Sequence, residues 1–246
     1  MTTWLAIFAR VAPIVALHPV FGGRSVPRSL VPVVAAAIAS AMYASLGGTT
    51  SIHQPLATIV IQCAIGVSIG VSGVVVVGAI ESAARLVDES RGANAAQYYV
   101  PQLETYSSPL AQLDALACVA VFWVTGLYRP FMRALFASFS ALPIDADTLT
   151  TLHRADAIEL IAHIAASIVT AAAGLAAPAM ATSLIVDVSL GLVNRASPQA
   201  NVFFLGLPVK LLAVVAVMAI GLPERAEIWS GLWTSDLEWL RRVWGS

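Results

Sequence analysis

The sequence predicts an all-α integral membrane protein. Of the 246 residues, 59% are hydrophobic and only 11% are charged, whereas soluble proteins carry about 25% charged residues. The mean hydropathy is +0.83. The apolar residues form continuous stretches near the roughly 17 to 25 residues that a helix needs to cross a bilayer. We therefore expect a multi-helix membrane protein made of apolar helical hairpins.

Hydropathy divides the chain into six candidate spans. They lie at about residues 4–21, 30–46, 56–80, 110–128, 157–186 and 201–221. The first lacks the basic region of a cleaved signal peptide, so we expect a retained helix. We treat residues 1–246 as one domain. Its parts are N-terminal helices in 1–80, a central helix and loop in 81–110, hairpins in 111–221 and an amphipathic tail in 222–246.

Charged and titratable residues interrupt most of these stretches. They are Arg10 and His18 in the first, Asp114 in the fourth, Glu159 and His163 in the fifth, and Lys210 in the sixth. A charge at bilayer depth costs roughly 2.5–3.5 kcal/mol, so such residues normally face protein or water. Basic residues also divide almost evenly between the two sides of a six-span arrangement, whereas membrane proteins usually carry an excess of Lys and Arg on the cytoplasmic side. Most of these helices are therefore expected to contact protein.

Several functional classes have no support in the sequence. The net charge is −1, which argues against a nucleic-acid partner. No phosphate-binding loop, dinucleotide fingerprint, nucleophile elbow or zinc-type spacing occurs. The closest approach to a metal site is Asp156, Glu159 and His163, which we interpret as the hydrated end of a helix. We expect neither catalysis nor a cofactor nor a bound metal.

Glycines recur at short spacing in the third stretch. Gly66 and Gly70 form a G-x-x-x-G pattern, with Gly73 and Gly78 following. Small residues let helix backbones approach closely in membranes. The pattern predicts helix packing and not a binding site.

The longest polar region lies between the third and fourth stretches. Gly92 offers a helix stop, and Ser108 with Pro109 predicts the start of the next helix. Between them we expect an ordered loop. Its candidate residues are Tyr98, Tyr99, Val100, Pro101, Gln102, Leu103, Glu104, Thr105, Tyr106, Ser107 and Ser108. A loop of this size is either functional or a plain surface connection.

A compact polar corner precedes the sixth stretch. Its residues are Asn194, Arg195, Ser197, Pro198, Gln199 and Asn201. Arg195 suits a helix C-terminus, while Ser197 and Pro198 suit the cap and first position of a following helix. If these two helices form an antiparallel hairpin, Lys210 comes within reach of Asp187. We predict that the two residues form a buried charge pair.

The tail is amphipathic. Its apolar face holds Trp229, Leu232, Trp233, Leu237, Leu240 and Trp244. Such a face suits a membrane interface or a partner groove. The alternative is a helix packed on its own chain, and we favour the interface.

Long segments of the chain resemble one family. The run APAMATSLIVDVSLGLVNRASPQANVFFLGLPVKLL, residues 177–212, is similar to the C-terminal signature of the T subunit of the type III secretion export apparatus, and of its flagellar homologue, the R protein of the flagellar export gate. Residues 66–113, SFSALPI at 138–144, and residues 10–30 fit the same family. The VDESRGANAA and SSPLAQL segments are more like the virulence injectisome branch.

The resemblance implies a place in a protein-export machine. Members assemble with R and S subunits into a helical export gate of the bacterial inner membrane, and the U switch subunit docks onto it. The gate conducts unfolded secreted proteins, and this subunit makes or breaks no bond. By the same resemblance, Tyr98–Ser108 would help to plug the closed pore.

Three alternatives stay open, of which an interaction-only membrane scaffold is the simplest. A flagellar export role differs from the injectisome role only in its pathway. A secondary transporter could use Asp114, His163, Asp187 and Lys210 as an ion relay, but we find no convincing internal repeat of the kind that transporters contain.

Overall fold

The computed structural model describes residues 2–21, 27, 29–45, 55–92, 108–144, 154–197 and 202–244. Within these ranges the chain forms eight α-helices and no strand, which confirms the all-α prediction. The helices are α1 (Thr2–Leu17), α2 (Val31–Ser45), α3 (Pro55–Ser90), α4 (Pro109–Val124), α5 (Tyr128–Ala141), α6 (Arg154–Ala196), α7 (Val202–Ile220) and α8 (Leu222–Trp244). A short 3-10 turn, Pro19–Phe21, follows α1.

The described helices offer fewer complete spans than the six predicted ones. Two helical segments, Leu56–Ser90 and Ile168–Ala196, are long and apolar enough to cross a membrane. Two bent pairs raise the number to four, because α4 with α5 and α7 with α8 pass the same test together, with bends of 79° and 62°. The first two candidates correspond to α1 and α2, which have only 16 and 15 residues. The structure therefore supports a membrane protein with two to four candidate spans.

The chain divides into two compact units. Unit 1 contains residues 1–77, 119–164 and 230–246, and unit 2 contains residues 78–118 and 165–229. Helices α3, α4, α6 and α8 contribute residues to both units. The predicted subdivision of a single domain into four consecutive parts stays a prediction.

In unit 1, helix α1 packs closely along the glycines of α3. A β-carbon on Gly66 would overlap the backbone carbonyl of Arg10, and one on Gly70 would lie 3.0 Å from the carbonyl oxygen of Pro13. A β-carbon on Gly73 would overlap the His18 ring. Because two of these contacts are with backbone atoms, a larger residue would force the helices apart. The G-x-x-x-G pattern thus marks a helix–helix contact, as predicted.

An aromatic cluster fills the centre of unit 1. The His18 ring is fully buried, and its centroid lies 4.7 Å from that of Phe131 and 5.7 Å from that of Trp233. Phe122 packs against Trp233 at 4.9 Å. The three contacts are tilted, stacked and edge-to-face, respectively, and offset-stacked and edge-to-face arrangements are favourable for aromatic rings.

Helix α8 buries most of its described apolar face within the chain. Trp229, Trp233 and Leu237 are 1%, 0% and 5% exposed. The preference for a membrane or partner interface is therefore wrong for these three side chains, because the chain itself covers them. The amphipathic pattern predicted that this helix face is buried, but it did not identify the residues that cover it.

Unit 2 contains the α6–α7 hairpin. A β-carbon on Gly206 of α7 would lie 3.1 Å from a methyl carbon of Leu190 on α6. This close approach fixes the register of the two helices. It also brings together the residues discussed next.

Candidate functional site

Lys210 and Asp187 meet across the α6–α7 hairpin. The Lys210 Nζ atom lies 2.5 Å from Asp187 Oδ1. The antiparallel register that the sequence suggested therefore brings these two predicted residues into contact. The Asp187 side chain is 49% exposed, however, and that of Lys210 is 16% exposed. Within the single chain the pair is only partly covered, so its complete burial stays a prediction.

The surface around this ion pair is apolar. Leu184, Ile185 and Val188 on α6 are 64%, 66% and 58% exposed, and Leu212 on α7 is 70% exposed. A half-exposed carboxylate in such a setting is costly in hydrocarbon. The electrostatics therefore favour protein or water next to Asp187 over lipid tails.

The polar corner of the hairpin is described only in part. Asn194 and Arg195 lie in the last turn of α6, as predicted, and the Ser197 amide donates a 2.8 Å hydrogen bond to the Val193 carbonyl oxygen. The remaining predicted corner residues, Pro198, Gln199 and Asn201, lie outside the described residues.

The predicted plug segment is also described at one end only. Residues Tyr98, Tyr99, Val100, Pro101, Gln102, Leu103, Glu104, Thr105, Tyr106 and Ser107 lie outside the described residues. Ser108 is described and caps α4, because its Oγ accepts a 3.0 Å hydrogen bond from the Ala111 amide. With Pro109 as the first helical residue, this start matches the sequence prediction.

Ser108 also connects α4 to the end of α3. Its hydroxyl donates a hydrogen bond to the carboxylate of Asp88, and Asp88 forms an ion pair with Arg91 one turn later. The Asp88 residue is 2% exposed. We call Asp88, Arg91 and Ser108 the loop-base cluster. It joins the end of α3 to the start of α4 through side chains that are largely shielded from solvent.

A second ion pair lies deeper in unit 2. The Arg225 guanidinium on α8 contacts the carboxylate of Asp114 on α4, and these residues are 8% and 3% exposed. Arg225 also donates a 3.4 Å hydrogen bond to the Leu175 carbonyl oxygen on α6 and lies 5.5 Å from the Trp229 ring centroid. The pair thus holds three helices together. A buried charge with this many partners is tolerated where an unpaired one is not.

In unit 1 the buried cation is Arg10. Its Nε donates a 2.6 Å hydrogen bond to Gln62 Oε1, and one Nη donates to the carbonyl oxygen and hydroxyl of Ser138 at 2.8 and 3.1 Å. The other Nη donates to the Leu142 carbonyl oxygen at 2.8 Å. Ser138 and Leu142 lie at the C-terminal end of α5, where the helix dipole favours a cation. The Phe139 ring centroid lies 4.0 Å from the guanidinium carbon.

Sequence reasoning identified Arg10 and Asp114 as charges that need protein partners, but it did not find those partners. Ser138 lies 128 residues from Arg10, and Arg225 lies 111 residues from Asp114. No periodicity connects positions so far apart. The only available signal was the presence of each charge in an apolar stretch.

These arrangements place the charges of Arg10, Asp114 and Lys210 next to polar partners. Within the part of the chain that the structure describes, no group of three or more His, Cys, Asp or Glu could hold a metal ion. The carboxylates of Asp88, Asp114 and Asp187 each contact a cation or a hydroxyl. The ion pairs of Asp114 and Lys210 and the hydrogen bonds of Arg10 connect different helices.

Together, the helices and their paired charges define an all-α membrane protein whose apolar segments depend on protein contacts. The model for the family of bacterial export proteins, family 1, matches residues 1–235. The chain belongs to this family.

Individual relatives come from two export pathways. The Yop proteins translocation protein T of Yersinia pestis is 29% identical over 146 residues, 59% of this chain and 55% of that protein. The secretion system apparatus protein SsaT of Salmonella typhimurium is 27% identical over 159 residues, 65% of this chain and 60% of that protein. The flagellar biosynthetic protein FliR of Caulobacter vibrioides is 24% identical over 229 residues, 91% of this chain and 90% of that protein.

These matches confirm the resemblance to type III secretion and flagellar export components. The alignments span only slightly more than half the length of the two secretion relatives, and almost the full length of the flagellar relative.

Proposed function

We propose that this chain is a core export-gate subunit of a type III secretion injectisome. In this role it assembles with R and S subunits in the bacterial inner membrane, as a multi-pass protein, to form the entry pore for unfolded secreted proteins. The U switch subunit docks onto that assembly. The chain conducts its cargo and catalyses no reaction.

The family match over residues 1–235 carries this proposal. The exposed apolar surface around Asp187 supports it, because a membrane-embedded hairpin with a half-exposed carboxylate requires a polar neighbour. Only 28% of the most apolar window of Ile168–Ala196 is buried within the chain, compared with 56% for Leu56–Ser90. A neighbouring subunit on α6 satisfies both observations.

Native mass spectrometry of the chain co-expressed with the R and S subunits encoded beside it tests the assembly. We expect a discrete complex with a small, fixed number of copies of this chain. A chain that purifies alone, or as a homodimer without gate subunits, contradicts the proposal. Co-purification of the chain with unrelated membrane proteins alone also contradicts the proposal.

Flagellar export is the second candidate. The nearly full-length match to the flagellar protein of Caulobacter vibrioides favours it, whereas the identities of 29% and 27% to the two secretion proteins favour the injectisome. Deletion of the gene separates the two roles. Loss of effector delivery with normal motility supports the injectisome, and loss of motility with normal effector delivery assigns the chain to the flagellum.

Within the gate, the segment Tyr98–Ser108 acts as a movable seal. The loop-base cluster supports this role, because the Asp88–Ser108 hydrogen bond fixes the point at which the segment returns to α4. Three tyrosines, at positions 98, 99 and 106, supply bulky side chains to fill a lumen, and Pro101 and Pro109 restrict the backbone.

Ion leak through the assembled gate tests the seal. Deletion of Gln102 and Leu103 should increase the leak, and deletion of Gly47 and Gly48 in a different connection is the matched control. Both gates must first show wild-type subunit composition by native mass spectrometry. Equal leak in the two deletion variants rejects the seal.

The transporter alternative receives less support from the structure. Asp114 pairs with Arg225 and Asp187 pairs with Lys210, so two of its proposed relay carboxylates already have cationic partners. The two pairs join helices in a manner typical of structural contacts.

A further inference from the structure

The connection between α4 and α5 forms a sharp, exposed bend in unit 1. The axes of α4 and α5 differ by 79° across a break of a few residues. Gly126 has φ +75°, a conformation that favours glycine, and its β-carbon position is open to the surroundings. The turn at residues 125–127 therefore joins the two helices through an open position at Gly126.

The turn carries exposed apolar and aromatic side chains. Trp123 is 44% exposed and Val124 is 87% exposed. The Trp123 ring stacks against Tyr128, with 5.4 Å between the ring centroids. Exposed Trp and Tyr with polar edges are enriched where a protein meets the membrane–water boundary.

Two arginines follow on the first turns of α5. Arg129 and Arg133 are exposed, and their i,i+4 spacing places them on one face of the helix. The Arg129 guanidinium lies 5.7 Å from the Tyr128 ring centroid, and its Nε donates a 3.2 Å hydrogen bond to the Tyr128 hydroxyl. These contacts orient Arg129, and none of the ion pairs among the described residues includes it.

The surrounding sequence supplies no acidic neighbour. From Ala115 to Ile144 the chain contains Arg129 and Arg133 but no Asp or Glu. The turn therefore combines two positive charges with an apolar tip. Guanidinium groups bind phosphate oxygens through paired hydrogen bonds, and basic residues are attracted to anionic membrane surfaces.

We propose that the α4–α5 turn, Trp123–Arg133, is a membrane-interface anchor that binds anionic phospholipid headgroups. Val124 enters the apolar edge of the bilayer, Trp123 and Tyr128 lie at the level of the headgroups, and Arg129 and Arg133 contact lipid phosphate. The proposal concerns a lipid contact and does not depend on the export function.

The depth of the turn can be measured with a fluorescent label on the full-length chain in lipid nanodiscs. Thr125 is exposed and accepts a Thr125→Cys substitution for labelling with an environment-sensitive dye. Cys63 is exposed and is replaced by serine, whereas Cys118 is buried. We expect blue-shifted emission that headgroup-labelled quenching lipids reduce. Water-like emission, or a label shielded from both water and lipid quenchers as in a protein interface, overturns the anchor.

The headgroup preference is tested by thermal unfolding in nanodiscs of phosphatidylcholine with increasing phosphatidylglycerol. The wild-type chain should gain stability as phosphatidylglycerol increases. Each lost arginine should weaken the apparent lipid affinity roughly fivefold, and the Arg129→Gln/Arg133→Gln variant about 30-fold. The Arg129→Lys/Arg133→Lys variant should retain most of the response because it keeps both charges.

Arg85→Gln is the matched control, because Arg85 is 49% exposed and forms only an exposed i,i+4 pair with Glu81. The anchor is wrong if the double glutamine variant responds to phosphatidylglycerol as Arg85→Gln does. Inorganic phosphate added to pure phosphatidylcholine nanodiscs separates the two sources of phosphate. If inorganic phosphate stabilises the chain as much as phosphatidylglycerol does, the site binds soluble anions and is not a lipid site.

Discussion

The backbone carbonyl of Arg10 occupies the space that a β-carbon on Gly66 would fill. This contact joins α1 to α3 at a point where neither partner can move independently, because both groups belong to helix backbones. It explains why the third apolar stretch contains glycine at this position.

Substitution of Gly66 by alanine should destabilise the chain by about 2–3 kcal/mol, because overpacking against backbone cannot be relieved by a side-chain rotation. Gly78→Ala on the same helix is the matched control, since its β-carbon has nothing within 4 Å. That change should be neutral or stabilising by about 0.5–1 kcal/mol through helix propensity. Thermal unfolding in detergent measures the stability of both variants. Equal stabilities would show that α1 and α3 pack less closely at Gly66 than the structure shows.

Removal of the Arg10 side chain should be severe. Arg10→Met eliminates four hydrogen bonds and leaves the carbonyl oxygens of Ser138 and Leu142 without their guanidinium donor. Bonds to charged groups contribute about 1.5–3 kcal/mol each but are not additive, so we expect a loss above about 3 kcal/mol. Arg10→Lys should recover only part of it, because lysine lacks the planar fork. The resistance of each Arg10 variant to protease in detergent, compared with that of Arg85→Gln, measures the effect. An Arg10→Met variant as resistant as Arg85→Gln contradicts the prediction.

The Asp114–Arg225 pair predicts non-additive mutations. Asp114→Leu or Arg225→Met alone should cost about 3–5 kcal/mol, because each leaves a buried charge without its partner. Asp114→Leu with Arg225→Met should cost less than either single change, since it removes both charges. A double-mutant cycle from denaturant unfolding measures the coupling. Strictly additive effects would mean that the two residues act independently.

The exposed Asp187–Lys210 pair should behave differently in the chain and in the assembly. In the isolated chain Lys210→Glu should cost under about 1 kcal/mol, because solvent screens a half-exposed pair. In co-purification with R and S subunits, each single reversal should reduce recovery of the complex, and Asp187→Lys with Lys210→Glu should restore part of it. A double reversal that is no better than the single reversals rejects a role for the pairing in assembly.

The parts predicted correctly from sequence depend on local geometry. The Asp187–Lys210 contact follows from helix rise and a short corner, and the cap at Ser108 follows from residue preference. The described helices give two to four candidate spans where hydropathy gave six, because hydropathy does not register that α1 and α2 have only 16 and 15 residues. The sequence did not predict that Trp233 is buried within the chain, because its contacts with His18 and Phe122 join residues far apart in sequence.

The partners of Arg10 also have a consequence for the timing of biosynthesis. Ser138 and Leu142 are translated 128 and 132 residues after Arg10, which at about 5–20 residues per second takes roughly 6–26 s. During that interval the nascent α1 carries a cation that lipid accepts only at a cost of roughly 2.5–3.5 kcal/mol. Helix α1 therefore reaches its final environment only after α5 has been synthesised.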